Sequence, residues 1–329
     1  MFATARTTFS FLAFLLMCFQ ATDGLAQTQP GGRPLTRQQP GGKIVDAQIA
    51  NAQARQAPAG PPKDFQLSEA QQRRIDAMLG HWEKKTSGIQ TFSTVFGRWV
   101  YDPVFGPKNQ AKTFSTGEIR YAAVDKGMIR EDKVYDYDKA KDKAGEKWPF
   151  TESVDAIGEH WVCTGSSVFE YDHKQKNLNE IKLPPEMQGK AIAEGPLPFM
   201  FGAKAEKIKK RYWIREIQKK NAEAPYQLEF LPKRRGETYA RVRISLDAKE
   251  FLPTEMVLYD LNNMGRSSYA FKDMTANSPK HKVGAFLNRF IAPKVPRGWD
   301  LVVHDPNAPQ AQPQGARPQQ AKGPTSPRR

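Results

Sequence analysis

The stretch Glu159 to Asp172, EHWVCTGSSVFEYD, brings a histidine, a cysteine, two serines and several acids into fourteen residues. A cysteine beside a histidine could form a nucleophile and its base, but only if the two side chains are in hydrogen-bond contact. Thr164-Gly165-Ser166 separates two alternating runs, so the stretch reads as a hairpin, with Trp161 and Cys163 on one face and His160 and Val162 on the other. His160 and Cys163 therefore point apart, and Cys163 is expected to pack as a small, half-buried hydrophobe. His81, His173, His281 and His304 are scattered without the paired spacing of a zinc site. DYDKAKDKAGE, from Asp136, has the flavour of a calcium loop, but Ala140 stands where a ligand is needed and Lys141 where the turn needs glycine. There is no G-x-S-x-G, phosphate-cradling glycine loop or dinucleotide fingerprint. The expectation is a protein with no catalytic residues, no metal and no cofactor, hence not an enzyme.

The chain's ends set its context. Arg6, the apolar run Phe9 to Phe19 and small residues ending at Ala26 have the order of a secretory signal peptide, too short to span a bilayer. Residues 1–26 are thus expected to be removed and the remainder exported, to the periplasm. Met17 is a poor residue before a lipidated cysteine, which argues against attachment through Cys18. Cleavage would leave Cys163 alone, so stability must come from core burial rather than a disulfide. The formal charge of +15 suggests nucleic acid until its distribution is considered. Residues 27–63 carry five cations against Asp46, and those after His304 carry four against Asp305, so nearly half of the excess lies in two Pro/Gly/Gln-rich segments. Such compositions bury too little apolar surface to order themselves, and 27–64 and 305–329 read as basic linkers able to touch membrane or cell wall. Aromatic residues alternate with basic ones in KKRYWIREI, but export argues against a nucleic-acid partner. Basic clusters at Lys207–Arg211 and Lys233–Arg235 read as charged, solvated strand edges.

Residues 65–304 hold most of the aromatic and branched residues and form one expected domain. Ser68 and Gln71 have capping-box spacing, and Leu67, Ile75, Met78, Leu79 and Trp82 follow at helical period, with Gly88 near the end. Eleven β-branched, aromatic runs between TFSTVFGRWVYD and RSSYAFKDM are separated by turn residues. The fold class that follows is α+β: a curved antiparallel sheet of about eleven strands whose concave face is covered by this helix and a second around PLPFMFGAKAEKIKK.

Four motifs in this domain resemble the outer-membrane lipoprotein carrier (LolA-like) superfamily, and more closely a set of exported planctomycete proteins of unknown function. FSTVFGR places Phe92 and Phe96 four apart as in the carrier's first strand, with Arg98 where the family usually shows Gln. VCTGSSVFEYD is similar to its hairpin, GPLPFMFGA to its short helix beneath the barrel mouth, and GRSSYAFKDMTANSP with PRGWDLVV to its last strand and closing turn. The family's lid-latching Arg falls near Ala123, and loops are longer before Glu159 and after Pro185. The resemblance implies an incomplete β-barrel with an apolar hollow for acyl chains. Phe92, Phe96, Ile129, Trp161, Phe199, Met200 and Phe201 are the expected lining, or else the core of a filled barrel. The function it implies is a periplasmic carrier for a lipid or lipidated ligand; the sequence leaves the oligomeric state open, with a monomer favoured. The alternative is a non-enzymatic envelope scaffold.

Overall fold

The structure is a computed structural model that describes residues 60–306 except 124, 155–157, 190–203, 218–220, 222–223, 235–238 and 283. Its first long element is α1 (Glu69–Thr86). The expected capping box is formed: Gln71 N–H donates to Ser68 Oγ and Ser68 N–H to Gln71 Oε1. That satisfies two of the donors a helix start leaves open. Ile75, Met78, Leu79 and Trp82 are the buried stripe, as the period predicted.

Thirteen strands follow: β1 (Thr91–Tyr101), β2 (Thr113–Ala122), β3 (Lys126–Tyr137), β4 (Phe150–Glu152), β5 (His160–Cys163), β6 (Ser167–Asp172) and β7 (Asn177–Lys182), then β8 (Tyr212–Ile217), β9 (Tyr226–Pro232), β10 (Arg241–Leu246), β11 (Pro253–Tyr259), β12 (Arg266–Ala276) and β13 (Asp300–His304). Short helices α2 (Lys139–Lys143), α3 (Ala205–Arg211) and α4 (Gly284–Leu287) lie between them. The strands form one open, curved sheet in the order β13-β7-β6-β5-β3-β2-β1-β12-β11-β10-β9-β8, with β4 attached to β3. All eleven expected runs are strands. The two additions are β4, only three residues long, and β13, which pairs parallel with β7 where a closing turn was expected. The second expected helix is described only over α3; its upstream half lies outside the described residues.

Alternation sorts the strands into two faces. The inner face carries Trp161, Ile129, Ile119, Phe92, Phe96, Tyr269, Met256, Ile244, Leu228 and Ile214, which join α1's stripe in one buried cluster. Gly117 makes one close approach possible: a Cβ there would stand 2.8 Å from Phe96 Cζ and 2.1 Å from the Arg130 carbonyl oxygen. At the β5–β6 turn, Gly165 has φ +98°, a conformation that L side chains rarely adopt.

Candidate functional site: the inner face and its charged end

Four of the expected lining residues meet on this inner face. Phe92 lies opposite Tyr121 of β2, Ile129 lies between Ile119 of β2 and Trp161 of β5, and Phe96 sits over Gly117 with its ring 6.0 Å from Tyr269. None is more than 3% exposed. Phe199, Met200 and Phe201 lie outside the described residues. α1 closes this wall. Its Trp82 is 1% exposed, and among the described residues the indole Nε1 has no hydrogen-bond partner. A buried donor left unmatched costs about 1–3 kcal/mol, so an indole N–H in an apolar layer stands ready for an acceptor.

The same face ends in a charged group that reasoning from motifs missed. Arg98 follows Phe92 and Phe96 at even spacing on β1, so strand period alone places it inside. Its Nη1 donates to Glu131 Oε1 at 3.1 Å and Glu159 Oε2 at 3.4 Å, while Ser115 Oγ donates to Glu131 at 2.7 Å and the Glu159 N–H to Glu131 Oε2 at 3.0 Å. The three charged side chains are 8–11% exposed. Burial opposes the Arg98 charge, but Tyr269, Glu131 and Glu159 outweigh it and hold the guanidinium pKa above its ordinary value. Burial likewise pushes the Tyr269 phenol up, keeping it neutral. The group can orient and hydrogen-bond a polar end; two carboxylates tied to one guanidinium make a poor proton shuttle.

The hairpin residues are structural. Cys163 is fully buried rather than half-buried, its Sγ donates to the Asp125 carbonyl at 3.2 Å, and burial pushes its thiol up to about 11. A thiol so protonated is a weak nucleophile. On the opposite face, the His160 ring stacks on Tyr171 at 4.0 Å and 2°. Burial, then the charges of Arg130, His173 and Arg289, lower its pKa to about 4. The unfolded chain, titrating near 6.5, then binds more protons between pH 6.5 and 4, so stability is full above this window and falls through it on acidification. We expect up to roughly 3 kcal/mol of acid destabilisation from this ring. Urea melts of wild type and His160→Phe at pH 7 and pH 4.5 check it: the variant should lose less, and equal losses would show that His160 does not carry the effect.

One further cluster joins residues distant in sequence. His281 Nε2 lies 3.2 Å from both Ser93 Oγ and Thr275 Oγ1, and Nδ1 lies 2.9 Å from Thr91 Oγ1. Burial and Arg120 lower its pKa. A serine touching a histidine is the start of nucleophilic chemistry, yet a hydroxyl rather than a carboxylate holds Nδ1, and the ring stacks on Phe286 at 4.3 Å. This arrangement fixes the β1–β12 border. Asp138, the third residue of the calcium-like stretch, caps α2 by accepting from the Ala140 and Lys141 N–H groups. Among the described residues, no group of three or more His, Cys, Asp or Glu could hold a metal.

Among the described residues, two clefts open at the surface. One of about 630 Å³ lies between Phe105, Lys108, Lys112, Asp136, Tyr137 and Asp142, and another of about 420 Å³ lies over Arg215, Gln227, Arg243, Glu255 and Tyr259.

No family model matches the sequence, and no curated protein does. Several solved structures show a likeness to the chain at low identity. An uncharacterised conserved protein from Thermus thermophilus is 10% identical, with 70% of this chain and 99% of that one covered and a TM-score of 0.38. The MucA/MucB complex from Pseudomonas aeruginosa gives 13% identity over 65% of this chain and 62% of that one, TM-score 0.33. A LolA superfamily protein from Nitrosomonas europaea gives 10% identity over 64% and 98%, TM-score 0.30.

Proposed function

We propose that this chain is an exported, non-enzymatic binding protein that holds an acylated, amphipathic ligand between α1 and the inner face of the sheet. The observation that carries the reading is the Trp82 indole N–H, buried in a largely apolar layer and without a partner among the described residues. An acyl carboxylate or ester oxygen would supply the missing acceptor, and α1 would lift from Phe92, Phe96, Ile129 and Trp161, with which it packs in one buried cluster, to let the acyl chain lie against them. Binding then draws on apolar burial, about 25 cal/mol per Å² removed from water, with the N–H fixing orientation.

The test uses the mature chain and cis-parinaric acid, a fluorescent fatty acid, together with native mass spectrometry of protein from an envelope fraction. Wild type should take up the probe, and Trp82→Phe, which keeps a ring and removes the donor, should bind it about three- to tenfold more weakly, the worth of one hydrogen bond. Absence of both probe uptake and co-purified lipid overturns the reading. The second reading, an envelope scaffold with a filled core, is favoured by the complete burial of Phe92 and Trp161, each 0% exposed. It takes over on that same negative result.

A further inference from the structure

Two basic clusters that lie some twenty residues apart in sequence are joined by the fold. α3 carries Lys207, Lys209, Lys210 and Arg211, and the end of β9 leads into Lys233 and Arg234. β8 and β9 pair antiparallel with Tyr212 opposite Pro232, which sets the clusters side by side. The Lys233 N–H donates to the Arg211 carbonyl at 2.9 Å, and Lys233 Nζ donates to the Lys209 carbonyl at 2.6 Å. Lys204, Lys207, Lys210 and Arg234 are exposed. Among the described residues, Glu206 and Asp76 beside them pair with Lys209, at 2.8 and 3.2 Å. Partial burial and then the Lys209 charge depress the Lys233 pKa. β8 ends the sheet, so no further strand lies outboard of this patch among the described residues.

We propose that this edge is a docking surface for a bilayer containing anionic lipid. Charge complementarity carries the assignment, and Trp213 supports it: the indole is half-buried with Lys233 Nζ 4.2 Å from its centroid, an aromatic body and an ammonium together at the rim, as at membrane interfaces. A single-stranded nucleic acid would want successive rings on which to stack its bases, and the stretch offers one half-exposed indole beside the buried Tyr212. α3 also contacts the helix that covers the inner face, since Glu83 of α1 accepts from the Ala205 N–H at 2.9 Å. Docking at this edge does not depend on the ligand reading, because charge rather than the inner face provides it.

The experiment is flotation of the mature chain with vesicles of phosphatidylcholine and phosphatidylglycerol at 3:1, against pure phosphatidylcholine, at low and high salt. Wild type should float with the anionic vesicles only, and less at high salt. Each cation near such a surface is worth about 1 kcal/mol, roughly fivefold. Replacing Lys207, Lys210 and Arg234 together by Gln should therefore weaken binding on the order of a hundredfold. The corresponding Lys207→Arg, Lys210→Arg variant keeps the charge and should bind as wild type does, with melting temperatures equal throughout. Both basic tails are present in every protein compared. If the Gln variant floats as well as wild type, the tails do the binding and the proposal falls. It also falls if an oligothymidylate outcompetes the vesicles for this patch.

Discussion

Arg98→Met should destabilise the protein by about 3–5 kcal/mol at neutral pH, the cost of breaking a buried ion pair by removing one partner. The methionine matches much of the arginine stem, but the guanidinium over the Tyr269 ring, 5.5 Å from its centroid, is lost with the charge. What disappears is the cation that holds Glu131 and Glu159 together, and both carboxylates remain almost wholly out of water. Two unpaired carboxylates in such a place can only protonate or admit water, and each route costs several kcal/mol. For a chain of this size the loss corresponds to a melting temperature lower by on the order of 10 °C. The variant should also carry a pH trend of its own. Its stranded carboxylates would have folded-state pKa values above the unfolded ones, so the deficit should be largest near pH 7 and shrink as pH falls and the acids become neutral. Calorimetry at pH 7 and pH 5 measures both effects. Adding Glu159→Gln to Arg98→Met should recover part of the loss, because one of the two stranded charges is gone. A single variant that melts within about 2 °C of wild type at pH 7 would mean that the cluster is held by its Ser115 and backbone donors instead.

Local patterns in the sequence were enough for most of this fold. The capping box, the helical stripe on α1 and eleven strands each announce themselves within a dozen residues, because period and turn chemistry are local. β13 does not: Asp300–His304 pairs with Asn177–Ile181, more than a hundred residues away, and nothing in five residues names a parallel partner. β4 is too short to show a period and sits beside Pro149. The same division runs through the site. Phe92, Phe96, Ile129 and Trp161 were legible as inward residues from alternation. Arg98 was equally legible by counting along β1, but its partners arrive from β3, the segment before β5 and β12, so only register reveals a charge centre rather than an exposed arginine. His281 illustrates the limit: its hydroxyl partners Thr91 and Ser93 precede it by 190 and 188 residues.

Glu229→Gln tests the counterpart of Arg98 on the outer face, and about 2–4 kcal/mol should be lost at pH 7. Register aligns Arg215 of β8, Glu229 of β9 and Arg243 of β10 in a row across the sheet. Glu229 Oε2 accepts from Arg215 Nε at 2.5 Å, and Oε1 accepts from Arg243 Nε at 2.7 Å and Arg241 Nη1 at 3.2 Å. Three guanidiniums cover the carboxylate so completely that its side chain is 1% exposed although the face is open to water. Burial works against the charge, but Arg243 and Arg215 overcome it and hold the pKa below its ordinary value. A depressed acid contributes stability that is present above the unfolded pKa near 4.5 and lost as pH falls through the folded value. The gap between wild type and variant should accordingly be full at pH 7 and close at pH 3. Gln keeps one acceptor but leaves three cations, 27–39% exposed, repelling each other with no anion between them; this partial exposure places the cost toward the low end of that for a broken buried pair. β8 has a neighbour on only one side, so loss of this tie should appear first as faster amide exchange along Tyr212–Ile217, with β1 and β2 unchanged. If urea melts at pH 7 show less than about 0.5 kcal/mol of difference, the three arginines have other ways to be satisfied, and the register of the β8–β10 corner rests on Ile214, Leu228, Phe230, Val242 and Ile244 alone.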